Sequence, residues 1–72
     1  MMERIEGIVK SHSKQHGYGF LIDEAGEIYF FHNTQWDIPI PPVKGLRVEF
    51  DPVETDKGMR AHNIGRIHRK GK

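Results

Sequence analysis

A chain of 72 residues supports one core and no more, and a domain of that size buries only about 60% of the surface its unfolded chain exposes. With 11 Lys and Arg against 10 Asp and Glu, the formal net charge of +1 makes the placement of charge, rather than its sum, the source of any electrostatic preference. The lack of cysteine excludes disulfides, thiol catalysis and thiolate metal sites, and no apolar run is long enough for a membrane span or secretory signal, so a soluble cytoplasmic domain without a membrane partner is expected.

No segment repeats apolar residues at helical spacing, whereas period-two patterns recur along the chain. The first predicted strand, near residues 4 to 12, sets Ile5, Gly7 and Val9 against Arg4, Glu6, Ile8 and Lys10. The second, near 18 to 23, sets Tyr18, Phe20 and Ile22 against Gly19, Leu21 and Asp23; the third, near 27 to 32, sets Tyr29 and Phe31 against Ile28, Phe30 and His32. Glu24-Ala25-Gly26 joins these two as a hairpin loop, with Gly26 suited to its left-handed position. Residues 33 to 44 hold Pro39, Pro41 and Pro42 and form a long connection, since proline removes the donors that a central strand needs. A fourth strand after Lys44-Gly45 turns Leu46, Val48 and Phe50 inward, and a fifth runs from about Met59 to Ile67 after a turn at Asp56-Lys57-Gly58. This order predicts an all-β fold, a five-stranded antiparallel barrel of the OB type over residues 1–67, followed by a basic tail at 68–72.

Every aromatic ring except Phe50 lies between Tyr18 and Trp36. If Leu21, Tyr29 and Phe31 fill the barrel, then Tyr18, Phe20, Phe30 and His32 share its outer face, because alternate residues of paired strands lie side by side. Outward rings on so small a domain make a stacking surface for nucleobases, each stack being worth about 1 to 3 kcal/mol. Gly17 and Gly19 would leave a path over the rings. Trp36 is expected to close the end of the barrel.

The order Gly7-Ile8-Val9-Lys10, His16-Gly17-Tyr18-Gly19-Phe20-Leu21, Tyr29-Phe30-Phe31-His32 resembles the cold-shock domain family, whose two ribonucleoprotein-type motifs read K-G-F-G-F-I and V-F-V-H-F. The likeness continues through Lys44 to Phe50 and Lys57-Gly58 to Ala61-His62-Asn63-Ile64. The RNA-recognition motif carries its two motifs in the opposite order and needs two helices. The resemblance implies an OB-type barrel that binds single-stranded RNA or DNA, often as an RNA chaperone, without cofactor and without bond-breaking chemistry. Carried over by position, Tyr18, Phe20 and Phe30 stack on bases, His32 stacks or hydrogen-bonds, and Lys10 and Lys57 approach the backbone. Peripheral positions are His12, His16 and Ile28.

Departures from the family fall on this face. Ser11-His12-Ser13 stands where W-F-N is usual, Asn33 where a further Phe is usual, His16 in place of Lys and Ile28 in place of a polar residue. Tyr29 and Phe31 stand where the family has smaller valines and read as core. Fewer stacks predict weaker binding, or fewer bases read. The competing reading is a protein-interaction barrel that uses the same apolar face, supported by the missing rings, the near-neutral charge and outward Ile8 and Ile28. Metal binding is not expected, because His12 and His16 lie on a strand end and loop rather than one helix face, and His62 and His68 have no carboxylate pattern beside them.

Overall fold

A computed structural model describes residues 4–67. The expected basic tail, His68 included, lies outside the described residues. The strands are β1 (Ile5–Ser13), β2 (Tyr18–Asp23), β3 (Ile28–His32), β4 (Arg47–Thr55) and β5 (Gly58–Gly65), with a short 3-10 turn at Asn33–Gln35. They close in the order β1-β2-β3-β5-β4. β1 pairs antiparallel with both β2 and β4, and β2–β3 and β4–β5 are antiparallel as expected. The seam that closes the barrel differs: β3 and β5 run parallel, with Phe30 beside Arg60.

Two ladder irregularities shape the sheet. In β1 the register slips between Val9 and Ser11, so Lys10 is an extra residue without a partner on β2. A bulge of this kind bends the strand and resets which face the following residues take. In β5 a second slip sits opposite Glu49 and Asp51, and there Asn63 adopts a left-handed conformation (φ 51°). Its side chain donates to Asp51 Oδ2 at 2.8 Å, and its backbone N–H donates to Gln35 Oε1 at 3.1 Å, which fixes the turn after β3 against β5.

The interior holds Val9, Leu21, Tyr29, Phe31, Ile38, Val48, Phe50, Ala61 and Ile64. Tyr29 meets Phe50 edge to face at 4.9 Å. Phe31, 1% exposed, occupies the middle, and burying such a ring contributes about 2 to 3 kcal/mol. Trp36 stacks on Phe31 at 5.6 Å, and its indole N–H donates to the Ile40 carbonyl at 2.8 Å. With Ile38 it caps one end of the barrel, so the proline-rich connection contributes to the core.

Gly19 is required by this packing. A Cβ there would lie 2.6 Å from the Ser11 carbonyl oxygen and 2.8 Å from the Phe31 ring. Its missing side chain points into the barrel, so it admits Phe31 rather than clearing a path outside. Gly17 serves its backbone instead: at φ 76° it turns the chain into β2, a conformation that glycine adopts without steric cost.

Candidate nucleic-acid interface

The outer face of β1, β2 and β3 is organised in rows set by the strand register. One row is Ser13, Tyr18 and His32; the next is Ser11, Phe20 and Phe30, continued by Arg60 on β5. Within these rows Tyr18 and Phe30 lie 5.5 Å apart, Phe20 and Phe30 5.8 Å, and Tyr18 and Phe20 6.2 Å, the two contacts of Phe20 being edge-to-face. All three rings are half-buried. They support one another by the tilted and edge contacts aromatic quadrupoles favour, and their remaining surface faces solvent.

Histidines frame this cluster. His16 stacks on Tyr18 at 5.7 Å while its Nδ1 sits 2.7 Å from Ser13 Oγ, so it extends the ring surface toward the β1–β2 turn. His32 is exposed and caps the 3-10 turn, its Nδ1 accepting the Thr34 N–H at 3.2 Å. That bond leaves the proton of the neutral ring on Nε2, as a donor for a ligand. His12 goes elsewhere. Because Lys10 bulges, His12 pairs with Gly19 and turns inward, stacking on Phe31 at 6.0 Å with its Nε2 2.9 Å from Asn33 Oδ1. The same slip carries Ser11 outward beside Phe20.

Lys10 is exposed at the bulge, and Lys57 is exposed at the tip of the β4–β5 turn, where its backbone N–H donates to Thr55 Oγ1. Neither forms an ion pair among the described residues. Arg4, by contrast, is held by Glu49 and Asp51, and Arg47 lies 3.6 Å from Glu6. Sequence reasoning missed Arg60 and His62. Arg60 lies over the Phe30 ring at 4.9 Å, and both residues line a cleft of about 250 Å³ with Phe30, His32 and Gln35. The signal was the alternation of Arg60 and His62 around buried Ala61, but the sequence does not reveal that β5 lies beside β3.

Beyond the rings, the next row is Arg47, Ile8, Ile22 and Ile28. Ile8 and Ile28 are 39% and 37% exposed, so the apolar surface continues past the aromatic one. Glu6, Asp23 and Glu24 border it around a second cleft of about 370 Å³. The three carboxylates outnumber Arg47 at that end, whereas the cleft at the ring end has none.

The hairpin that carries the rings is tied at its far end by Asp23. Its Oδ1 accepts the N–H groups of Ala25 and Glu27, both at 2.9 Å, and its Oδ2 accepts the Tyr29 hydroxyl at 2.8 Å. Burial works to raise the Asp23 pKa, but hydrogen bonds from Glu27, Tyr29, Ala25 and Gly26 outweigh it and hold the group below its ordinary 3.8. Burial, followed by the hydrogen bond to Asp23 and the charges of Asp23 and Glu27, pushes the Tyr29 phenol up to about 12. Gly26 takes the left-handed position at φ 87°.

No family model matches the chain. The Cold shock-like protein of Aquifex aeolicus (strain VF5) is 43% identical to it over 61 residues, which is 81% of this chain and 87% of that protein. The chain belongs to the cold-shock domain family. This is a nucleic-acid-binding family, and the closed five-stranded barrel with outward rings on β2 and β3 has its expected architecture. In this cold-shock domain the three departures at ring positions, Ser11, His12 and Asn33, have different structural meanings. Ser11 stands on the outer face beside Phe20, so the row there holds a hydroxyl in place of a ring. Asn33 is engaged with His12, whose imidazole packs the barrel end.

Proposed function

We propose that this cold-shock domain binds single-stranded RNA or DNA by stacking unpaired bases on Tyr18, Phe20 and Phe30, with His32 at the end of the row and Lys10 and Lys57 toward the phosphates. The observation that carries this reading is the cluster of three outward rings within 5.5 to 6.2 Å of one another. On a barrel with so little core, rings used only for packing would turn inward, as Tyr29, Phe31 and Phe50 do. His16 adds a stacked imidazole at the edge of the cluster. Stacking on unpaired bases opposes duplex formation, so the domain would act as an RNA chaperone that loosens secondary structure without ATP. No catalytic step is part of the proposal.

Titration of labelled single-stranded and duplex oligonucleotides into the wild type and a Phe20→Ala, Phe30→Ala variant tests it. Two lost stacks are worth roughly 2 to 6 kcal/mol, so single-strand binding should fall at least about thirtyfold while the variant stays folded. Phosphate contacts from about three cations give a log-log salt slope near −2. Equal affinity for duplex and single strand would refute the mechanism, since paired bases hide their faces.

The row of Ile8, Ile22 and Ile28 favours a second reading, in which the same face holds a protein partner. Binding through that row would be nearly insensitive to salt and would survive loss of Phe20 and Phe30.

A further inference from the structure

Arg60 occupies an unusual place for a cation that serves only phosphate. Lys10 and Lys57 stand at the bulge and a turn tip, but Arg60 sits within the ring rows, directly beside Phe30 in the parallel seam and 4.9 Å from its ring centroid. No carboxylate pairs with it among the described residues. The ring restrains the long side chain through a cation–π contact, yet a π-face accepts at most one N–H, so most of the guanidinium's five donors remain available.

The cleft around it is weighted toward hydrogen-bond donors, with Thr34 and His62 able to play either part. Its lining includes Phe30, His32, Gln35, Arg60 and His62 and contains no carboxylate. The Gln35 oxygen accepts the Asn63 N–H at 3.1 Å, which leaves the amide nitrogen as the free donor. His32 accepts through Nδ1 from Thr34 and so keeps its N–H on Nε2. Donors surrounding a ring suit a base that offers two neighbouring acceptors. Guanine does so through O6 and N7, in the spacing of an arginine fork, whereas adenine presents an amino donor beside N7.

We propose that the cleft between Phe30 and Arg60 is a guanine subsite, in which the base lies against Phe30 while Arg60 donates to its O6 and N7. The inference rests on the single-strand reading above and adds base selectivity to it. A good bidentate contact discriminates between bases by about tenfold or more.

The test uses three short single-stranded oligonucleotides: all thymine, the same with one central guanine, and the same with one central adenine. Affinities are measured by fluorescence anisotropy for wild type, Arg60→Lys and Arg60→Ala, with folding checked by circular dichroism. The expected result is a guanine-over-adenine ratio of about tenfold in wild type that falls toward one in both variants, since lysine keeps the charge but not the fork. A phosphate-only role would shift all three strands by a common factor and leave the ratio intact, which would overturn the proposal. So would a wild-type ratio near one with single-strand binding present, an outcome that leaves the platform standing. Failure of folded wild type to bind any strand would overturn both.

Discussion

Replacing Asp23 by alanine should destabilise the barrel although the residue lies near a loop. Its carboxylate accepts three side-chain-mediated hydrogen bonds: two N–H groups at 2.9 Å and the Tyr29 hydroxyl at 2.8 Å. The two amides lie at a wet hairpin tip and recover water, so their loss costs little. The Tyr29 hydroxyl makes this bond in a part-buried setting, and a donor left there without its partner costs about 1 to 3 kcal/mol. Together the loss is about 1 to 3 kcal/mol, or a melting temperature lower by at least about 4 °C. Tyr29→Phe alone removes a hydrogen bond and costs about 1 kcal/mol, but in the Asp23→Ala background it removes the orphan and should be neutral or stabilising. Because the folded-state pKa of Asp23 lies below its ordinary 3.8, its charged form stabilises the fold above that value, and the contribution is lost as pH falls through the folded-state value. Urea unfolding of the four proteins from pH 7 down to pH 2 measures this. A strictly additive cycle, or a wild-type advantage over Asp23→Ala that is undiminished at the lowest pH, would refute the reasoning.

Two further substitutions test the packing and the face separately. Gly19→Ala forces a methyl into 2.6 Å of the Ser11 carbonyl and 2.8 Å of the Phe31 ring, so a loss of about 2 to 4 kcal/mol is expected in thermal unfolding; a stability change under about 0.5 kcal/mol would mean the β1–β2 bulge yields freely. Ser11→Trp adds a ring beside Phe20 on the outer face, and single-strand affinity should rise roughly fivefold or more at little cost to stability, as measured by the same titration used for the ring variants.

Strand content and core were legible because alternation is a direct record of the two faces of a sheet. Val9, Leu21, Tyr29, Phe31, Val48 and Phe50 are buried where period two places them. The bulge at Lys10 was not legible, since Ile5, Gly7, Val9, Ser11 and Ser13 continue an unbroken small-or-apolar alternation. One unpaired residue exchanged the faces of Ser11 and His12, leaving the first in the ring rows and sending the second against Phe31. The parallel seam was equally hidden, because hairpin logic pairs only neighbours in sequence. Arg60 and His62 therefore entered the candidate site through topology, while Tyr18, Phe20, Phe30 and His32 entered it through motif and alternation.

That seam also has a mechanical consequence. Hairpins join β1 to β2, β2 to β3 and β4 to β5, but β3 meets β5 at Phe30 and Arg60, helped by the bridge from Trp36 to Ile64. Excursions from the native state follow the least supported pairing, so the barrel should breathe by parting there. A strand of nucleic acid held by Phe30 on one lip and Arg60 on the other would act as a clasp. Occupancy and closure would then be one equilibrium, with the bound chain lending the cylinder the hoop strength that its own ladder supplies least at this point.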